Sequence, residues 1–358
     1  MLHIGGENIE KDTGRVDGVR TAAELGLISG KYEFDEESIL FSKIRPRLNK
    51  VAIPGFRGIC SADIYPLKVK PGFDQSFVVH LLRSRRFLDY AEKHSTRTNI
   101  PKLNRKSLLA FEAPVPPLDE QRRIATILDR ADAIRRKRRE AIALTEELLR
   151  STFLEMFGDP VTNPKGWPTK PLGKAATITT GNTPSRKDPA NFGAHIEWIK
   201  TDNITGDNDV LTPAAESLSV TGRRLGREVR EGAVLMACIA GSMSSIGKVA
   251  IADRGVTFNQ QINALEPHPS VATTAFMYAM LSNAQQRVQE ISTGGMKGLV
   301  SKGRLSKLEL MFPPLSKQQS FDLVFDRYRG LRQPAESAAA EADDLFHSLV
   351  QRAFRGEL

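Results

Sequence analysis

PVPPLDEQRRIATILDRADAIRRKRREAIALTEELLRSTFLEMFGD, from Pro114 to Asp159, has a second copy in MFPPLSKQQSFDLVFDRYRGLRQPAESAAAEADDLFHSLVQRAFRGEL, from Met311 to Leu358. Each copy opens on Pro-Pro-Leu, carries a glutamine three residues after that leucine (Gln121 and Gln318), and continues in a long helical pattern. Each closes on a phenylalanine near a glycine and an acid, at Phe157 and Phe354. The offset from Pro117 to Pro314 equals that from Phe157 to Phe354, so the repeat keeps register along its whole length. A proline at the first helical turn loses no hydrogen bond, and Asp119 and Glu120 put negative charge at the positive end of the helix dipole. Ile124, Leu128, Ala131, Ile142, Leu149 and Met156 fall on a three-four spacing, interrupted by Arg135 to Arg139. Phe321, Phe325, Tyr328, Leu331, Ala335, Ala338, Ala342, Leu345 and Leu349 form the matching stripe in the second copy. A rod of this length, about 58 Å at 1.5 Å per residue, needs a partner, and its own repeat is the natural one. Pro334 is expected to kink or interrupt the second helix. In an antiparallel pair, the small residues Ala335 to Ala342 would face Arg135 to Arg139, with the arginine heads in water.

The stretches before the two helices repeat as well. His3 to Glu10 aligns with Trp198 to Thr205, Ile39 to Ile44 with Val234 to Ile239, and Lys50-Val-Ala-Ile recurs unchanged from Lys248. So long a period is a duplicated half and not a solenoid, whose units run about 20–50 residues. In each half, short apolar runs between turn signals read as strands. Ser76 to His94 and Thr274 to Ile291 each read as one amphipathic helix. A polar loop with four basic residues follows each, from Ser95 to Lys106 and from Ser292 to Lys307. Leu108 to Ala113 and Ala175 to Thr179 read as further strands. The fold class is α+β: two duplicated mixed α/β domains (1–113 and 160–310), separated by two long helices (114–159 and 311–358) that form an antiparallel coiled coil.

The net charge is +9. Leu118 to Phe157 and Leu315 to Leu358 together hold equal numbers of basic and acidic residues, so the whole excess lies on the globular parts. Basic domains joined by neutral helices point to a polyanion bound by the domains. No apolar run is long enough for a membrane span, and the N-terminus has no export pattern, which places the chain in the cytoplasm. Cys60 and Cys238, the two cysteines, read as small buried residues and give no disulfide or zinc framework.

Catalytic patterns are missing. The run from Gly241 to Val249 has one residue too many for a phosphate-binding loop and lacks its Ser/Thr. There is no Asn/Asp-Pro-Pro-Tyr loop and no Asp/Glu-x-Lys triplet. The six histidines show no metal-ligand spacing. Gly294 to Gly298 is a poor phosphate cradle and reads better as close backbone approach to a DNA phosphate. A stand-alone DNA methyltransferase or nuclease is disfavoured on these grounds. The other non-catalytic reading is a coiled-coil scaffold with basic domains and no specific DNA recognition.

Pro-Pro-Leu-x-x-Gln opening each long helix, the run Gly181-Asn-Thr-Pro, the segment from Trp198 to Ile204 and the segment from Phe258 to Ile262 resemble the specificity subunit of Type I restriction–modification systems. The resemblance covers the whole chain. It implies two target recognition domains, each reading half of a split sequence in double-stranded DNA. It also implies paired helices that hold the halves apart, two modification subunits docked on those helices, and restriction subunits in the full complex. Adenine methylation would need S-adenosylmethionine, and restriction ATP and magnesium, all on the partners; this chain would carry no cofactor, no metal and no catalytic residue. Phosphate contacts call for loop cations, which nominates Arg97, Lys102, Arg105 and Lys106 in the first half and Lys297, Lys302, Arg304 and Lys307 in the second. Lys200, Gln260 and Gln261 match base-edge donors and acceptors. Thr183 and Lys187 lie in a loop, from Thr180 to Lys187, suited to DNA contact.

The second domain has a lead-in from Gly166 to Glu197 before Trp198, whereas the matching segment of the first begins at His3. The expectation is that the first domain lacks a strand, carries an exposed sheet edge, is less stable, and reads its half-site poorly. The upstream reading frame should encode a Leu-Gly…Gly-x-Thr-Pro-like segment. An in-frame stop there, with a first domain that reads its half-site normally, would overturn the expectation. If the helices act as a ruler, four residues inserted after Ala141, about one turn, should lengthen the tolerated spacer between half-sites or abolish activity. Full activity on the original spacer would contradict this.

Overall fold

The computed structural model describes residues 1–27, 30–95, 99–293 and 298–358. The chain packs as two units, Met1–Ile142 with Pro334–Leu358, and Ala143–Gln333. The first long helix spans Leu118–Phe157 and the second Leu315–Ala353. One end of each helix therefore belongs to each unit. The helical assignment runs through Pro334 without a break, contrary to an interruption there.

In the first unit, a four-stranded sheet orders Arg20–Thr21, Leu2–Ile4, Gly58–Ser61 and Lys31–Phe34. Leu2–Ile4 runs parallel to Gly58–Ser61. A three-stranded sheet orders Val51–Ala52, Ile39–Ser42 and Ile64–Leu67. Two helices, Gln75–Arg83 and Arg85–Lys93, pack on it through Phe87, Val79 and Leu82. The long helices meet each other around Phe77: Ile124, Ala125 and Leu128 come from the first, and Phe346, Val350 and Ala353 from the second. The Phe77 and Phe354 rings lie 5.3 Å apart. Arg139 pairs with Asp343 at 2.6 Å, which fixes an antiparallel order.

The second unit repeats this plan. Ile196–Ile199 runs parallel to Val256–Phe258 inside a five-stranded sheet. A four-stranded sheet orders Val249–Ile251, Val234–Ala237, Ile262–Pro267 and Ala176–Thr180. The helices again run antiparallel, with Phe321 5.5 Å from Phe153 and 5.8 Å from Phe157, and Glu146 2.8 Å from Arg332. The strand Ile262–Pro267 is paired on both sides. Its counterpart Ile64–Leu67 pairs only with Ile39–Ser42 among the described residues.

Five readings from sequence need correction. Ser76 to His94 is two helices, because Ser84 adopts an extended conformation (φ −67°, ψ 150°) and its hydroxyl caps the next helix at Phe87 N. Thr274 to Ile291 is likewise broken at Ala284, between Thr274–Asn283 and Gln285–Glu290. Periodicity cannot register such breaks when both pieces bury the same side. Leu108 to Ala113 is no strand. A short helix, Arg105–Leu109, is capped by Asn104 and followed by irregular chain. Its counterpart Glu309–Met311 is a strand because Thr169–Pro171 pairs with it. Finally, Arg135 does not hold its head in water: it is 2 % exposed, bonded to Asp132 at 2.5 Å, and lies over the Phe346 ring. Leu331 and Leu345 are exposed, and the buried seam runs through Arg332, Ala339, Phe346 and Val350 instead.

The glutamine of each Pro-Pro-Leu-x-x-Gln motif is buried. Gln318 Oε1 accepts from Thr273 N at 3.0 Å, and its Nε2 donates to Val271 O (3.0 Å) and Pro313 O (2.8 Å). Gln121 repeats this with Asp74 N, Gly72 O and Pro116 O. The side-chain amide thus satisfies backbone groups that both helix starts leave open. Gln318→Ala should cost roughly 1–3 kcal/mol, because buried partners lose their bonds. Denaturant unfolding should show a lower midpoint at unchanged slope; an unshifted midpoint would refute the clamp.

His3, 4 % exposed, has no partner for either ring nitrogen among the described residues. At the matching position Trp198 donates Nε1–H to Asn182 O at 3.2 Å. Burial, with Lys31 nearby, holds the His3 pKa below its usual 6.5. The folded state therefore disfavours a charged His3. Its contribution to stability is complete above pH 6.5 and falls away as pH drops through the lowered folded value. Unfolding followed from pH 7.5 to 5 should show this loss reduced in His3→Phe; an identical pH profile would exclude it.

Candidate nucleic-acid interface

The residues around Gly181-Asn-Thr-Pro form the most connected polar surface of the second unit. Gly181 lies so close to the Phe258–Asn259 backbone that a Cβ would sit 2.4 Å from Phe258 O and 2.2 Å from Asn259 O. Asn182 N then donates to Phe258 O at 3.0 Å. The Asn182 side chain donates to Leu225 O at 2.8 Å and accepts from Arg227 N at 2.7 Å. Three loops are thereby held by one asparagine: the loop it belongs to, the Phe258–Gln261 turn, and the segment after the helix Val220–Leu225.

On this base stand several of the residues nominated from sequence. Thr183 donates its hydroxyl to Gln260 Oε1, and both are exposed. The Gln260 amide N–H groups have no partner among the described residues. Gln261 is half-buried: its Oε1 accepts from Asn259 Nδ2 at 3.0 Å, and its carbonyl accepts from Cys238 N and Ile239 N. Lys200 is half-buried and pairs with Glu216. Lys187 is exposed.

Sequence reasoning missed part of this surface. Glu216 also pairs with Arg186 at 2.7 Å, and Arg186 and Lys200 lie over the Trp198 ring at 5.3 Å each. The bonds from Lys200 and then Arg186 hold the Glu216 carboxyl below its ordinary pKa. Arg224 and Arg227 are exposed and, like Lys187, have no acidic partner among the described residues. The run Arg223-Arg-Leu-Gly-Arg227 was the available signal. What hid it was the Asn182 bond across the chain.

The nominated basic loops are less uniform. Arg97 and Lys297 lie outside the described residues, as does most of Gly294 to Gly298. Lys302, Arg304 and Lys307 are exposed on a short helix, Lys302–Lys307, capped by Ser301; Arg304 donates to Ile291 O at 3.0 Å. In the first unit, Arg105 and Lys106 are exposed on the first turn of Arg105–Leu109. Lys102 is half-buried, 3.7 Å from Asp63, which also faces Lys43 at 3.9 Å. Burial, together with Lys102, lowers the Lys43 pKa. Among the described residues, no group of three or more His, Cys, Asp or Glu is placed to hold a metal ion. No helix is long and apolar enough to cross a membrane.

Duplicated α+β units, each packed on one end of two antiparallel helices and each opening its helix with a buried glutamine clamp, define a tandem-domain protein built on paired helices. A family model described as the Type I restriction modification DNA specificity domain matches residues 24–144 and 164–326, and the chain belongs to this family. It is 37 % identical over 165 residues to the Type I restriction enzyme EcoDI specificity subunit of Escherichia coli, a match covering 45 % of this chain and 37 % of that protein. With the HindI specificity subunit of Haemophilus influenzae it shares 27 % identity over 156 residues, 42 % of this chain and 32 % of the relative. The chain thus spans about a third of the length of the curated relatives it matches. Its fold is shared with the S subunit of a Type-I restriction–modification system from M. genitalium (TM-score 0.59, 13 % identity, 98 % of this chain and 88 % of that one). A chain from a structure of complex assembly and conformational transition in the type I R-M system is also similar, with TM-score 0.53 at 20 % identity, covering 100 % and 92 %.

Gly181→Ala should destabilise the second unit by roughly 1–3 kcal/mol, because the clash is with backbone that cannot turn aside. Thermal unfolding monitored through the Trp198 environment is the measurement. An unchanged transition would show that the loop yields.

Proposed function

We propose that this chain is the DNA-reading subunit of a Type I restriction–modification complex, and that it performs no catalysis itself. Each unit reads one half of a bipartite duplex target. Two modification subunits supply S-adenosylmethionine-dependent adenine methylation, and restriction subunits supply the ATP- and magnesium-dependent steps. The complex acts on cellular DNA in the cytoplasm. The observation that carries this reading is the surface assembled by Asn182. It sets the exposed Gln260 amide beside the loops that bear Lys187, Arg224 and Arg227, cations that no acid of the described chain neutralises.

That surface has two kinds of group with separable roles. Lysines and arginines neutralise phosphates and give affinity without sequence information. Gln260 carries donors suited to a base edge, with its carbonyl oriented by Thr183. Lys200 is engaged by Glu216, so as a base reader it acts within an ion-paired group and not as a lone cation. Arg105 and Lys106 in the first unit, and Lys302, Arg304 and Lys307 in the second, are assigned to phosphates, as are Arg97 and Lys297.

Fluorescence anisotropy with cognate duplex, taken across a salt series, tests this. Lys187→Ala/Arg227→Ala should weaken binding to all sequences alike and lower the salt slope by about 0.9 per lost contact. Gln260→Ala should narrow the gap between cognate and non-cognate duplex at an unchanged slope. A salt dependence untouched by the double substitution would reject the phosphate assignment, and retention of full discrimination by Gln260→Ala would reject the base-reading one.

A further inference from the structure

We propose that a cleft in the first unit binds a small, multiply charged phosphate anion. The inference stands on a comparison that the duplication provides. Each unit has a cleft between its helix pair and the long helices, about 560 Å³ in the first and about 450 Å³ in the second. Their linings correspond position by position: Asp12 with Asp207, Arg135 with Arg332, Phe346 with Leu149, and His347 with Arg150. Both volumes fall in the range of small-molecule sites.

The chemistry of the two has diverged. In the second unit, Ser282, Asn283, Gln285 and Gln286 form the wall given by the helix pair, and Arg332 is paired with Glu146 at 2.8 Å. In the first, Arg83, Arg85 and Arg86 take that wall, and Arg355 joins from the second long helix's end. Two of the first unit's guanidinium groups are matched by acids: Arg135 by Asp132 at 2.5 Å, and Arg85 by Asp89 at 2.9 Å. The other three are not.

Arg83 donates Nη2 to two carbonyls, Thr13 O at 2.6 Å and Val51 O at 2.5 Å, and makes no ion pair among the described residues. Its buried Nε–H has no partner among the described residues. Gly14, at φ +65°, leaves the space that this guanidinium occupies. Burial pushes the Arg83 pKa down to about 10, with Arg135 and Arg136 adding to the effect and the Asp132 and Asp129 carboxylates partly offsetting it. Arg86 reaches only Glu112 O, at 3.3 Å, and Arg355 has no side-chain partner among the described residues. The remaining carboxylate of the lining, Asp12, accepts from Asn49 Nδ2 at 3.3 Å. Guanidinium forks match phosphate oxygens in pairs, and a multiply charged phosphate would neutralise several of them at once.

Calorimetric titration of the full chain with inorganic tripolyphosphate at low salt tests the site. Arg86 and Arg355 are exposed, so Arg86→Gln/Arg355→Gln keeps the fold, which its unfolding midpoint will verify. The expected result is saturable one-to-one binding, weakened roughly tenfold or more in this variant. Lys70→Gln/Lys93→Gln, which removes equal charge from exposed sites of the same unit, should bind as the parent does. No saturable binding, or equal weakening in both variants, would overturn the proposal. Duplex DNA forms the second arm. Unchanged duplex affinity in Arg86→Gln/Arg355→Gln supports a small-anion site. A parallel loss of duplex affinity would assign these arginines to the DNA backbone and overturn it. The tripolyphosphate arm does not depend on the DNA-reading role, so the two proposals can fail separately.

Discussion

One primary amide, used twice, joins each globular half to the helices. Helix starts leave backbone N–H groups without partners, and burying them unpaired is costly. Here Gln121 and Gln318 sit where two helix starts converge and bond to both. The prolines before each long helix end the preceding chain, and the glutamine three residues past the leucine turns inward onto the neighbouring helix. A short polar side chain then extends each clamp: Ser76 bonds Asp129 at 2.7 Å, and Thr273 bonds Asp322 at 2.7 Å. Phe77 and Phe276, each on the helix so held, fill the adjacent cores. The aromatic packing depends on the polar join for its register.

A second polar element fixes the loops. Arg135 donates to Asp12 O at 3.0 Å, and Arg332 donates to Asp207 O and to Asn208 Oδ1 at 2.9 Å. These arginines occupy the same repeat position, as do the loops they hold. One acid keeps its place on the opposite long helix, Asp343 at 3.8 Å from Arg135 and Glu146 at 2.8 Å from Arg332, while a second has changed sides: Asp132 on the long helix in the first unit, Asp209 on the loop in the second, with Arg329 standing where Asp132 would be. A buried guanidinium left without an acid would be strongly destabilising. The duplicated halves keep one carboxylate at the same repeat position and move the source of the second. Arg332 also explains how the helix seam can pass through a charged residue near Pro334.

The same contrast between repeated plan and changed chemistry runs through the proposed DNA-facing surface. The first unit presents Arg105 and Lys106 on a short capped helix, and the second presents Lys302, Arg304 and Lys307 on its equivalent. The Asn182 junction belongs to the second unit. It ties the exposed Gln260 to a rigid turn, which suits a group that has to discriminate by position. Where the junction supplies Trp198 with a carbonyl partner, the first unit has His3 with none among the described residues.

Local spacing carries the duplication, the two long helices, several strands and the family. Pro-Pro-Leu-x-x-Gln, the apolar periodicity around Phe153 and Phe321, and the alternation in Val234–Ala237 all carry their meaning within a few residues. The excess positive charge was likewise assigned to the globular parts by counting. Tertiary structure decided the rest, and for the buried arginines and the candidate site the cause is a bond between residues far apart in the chain. Leu331 and Leu345 read as members of the buried stripe and are exposed, while Arg332 between them is buried with its guanidinium on the carbonyl of Asp207 in a distant loop. Leu108 to Ala113 had a strand's composition but, among the described residues, no strand to pair with. Lys200 read as a lone base reader until Glu216 came within reach, and Arg224 and Arg227 gained a place in the surface only through Asn182. Periodicity reports which side of an element is apolar. It does not report which buried polar groups will find partners, and in this protein those partners set the helix seam, the loops and the candidate site.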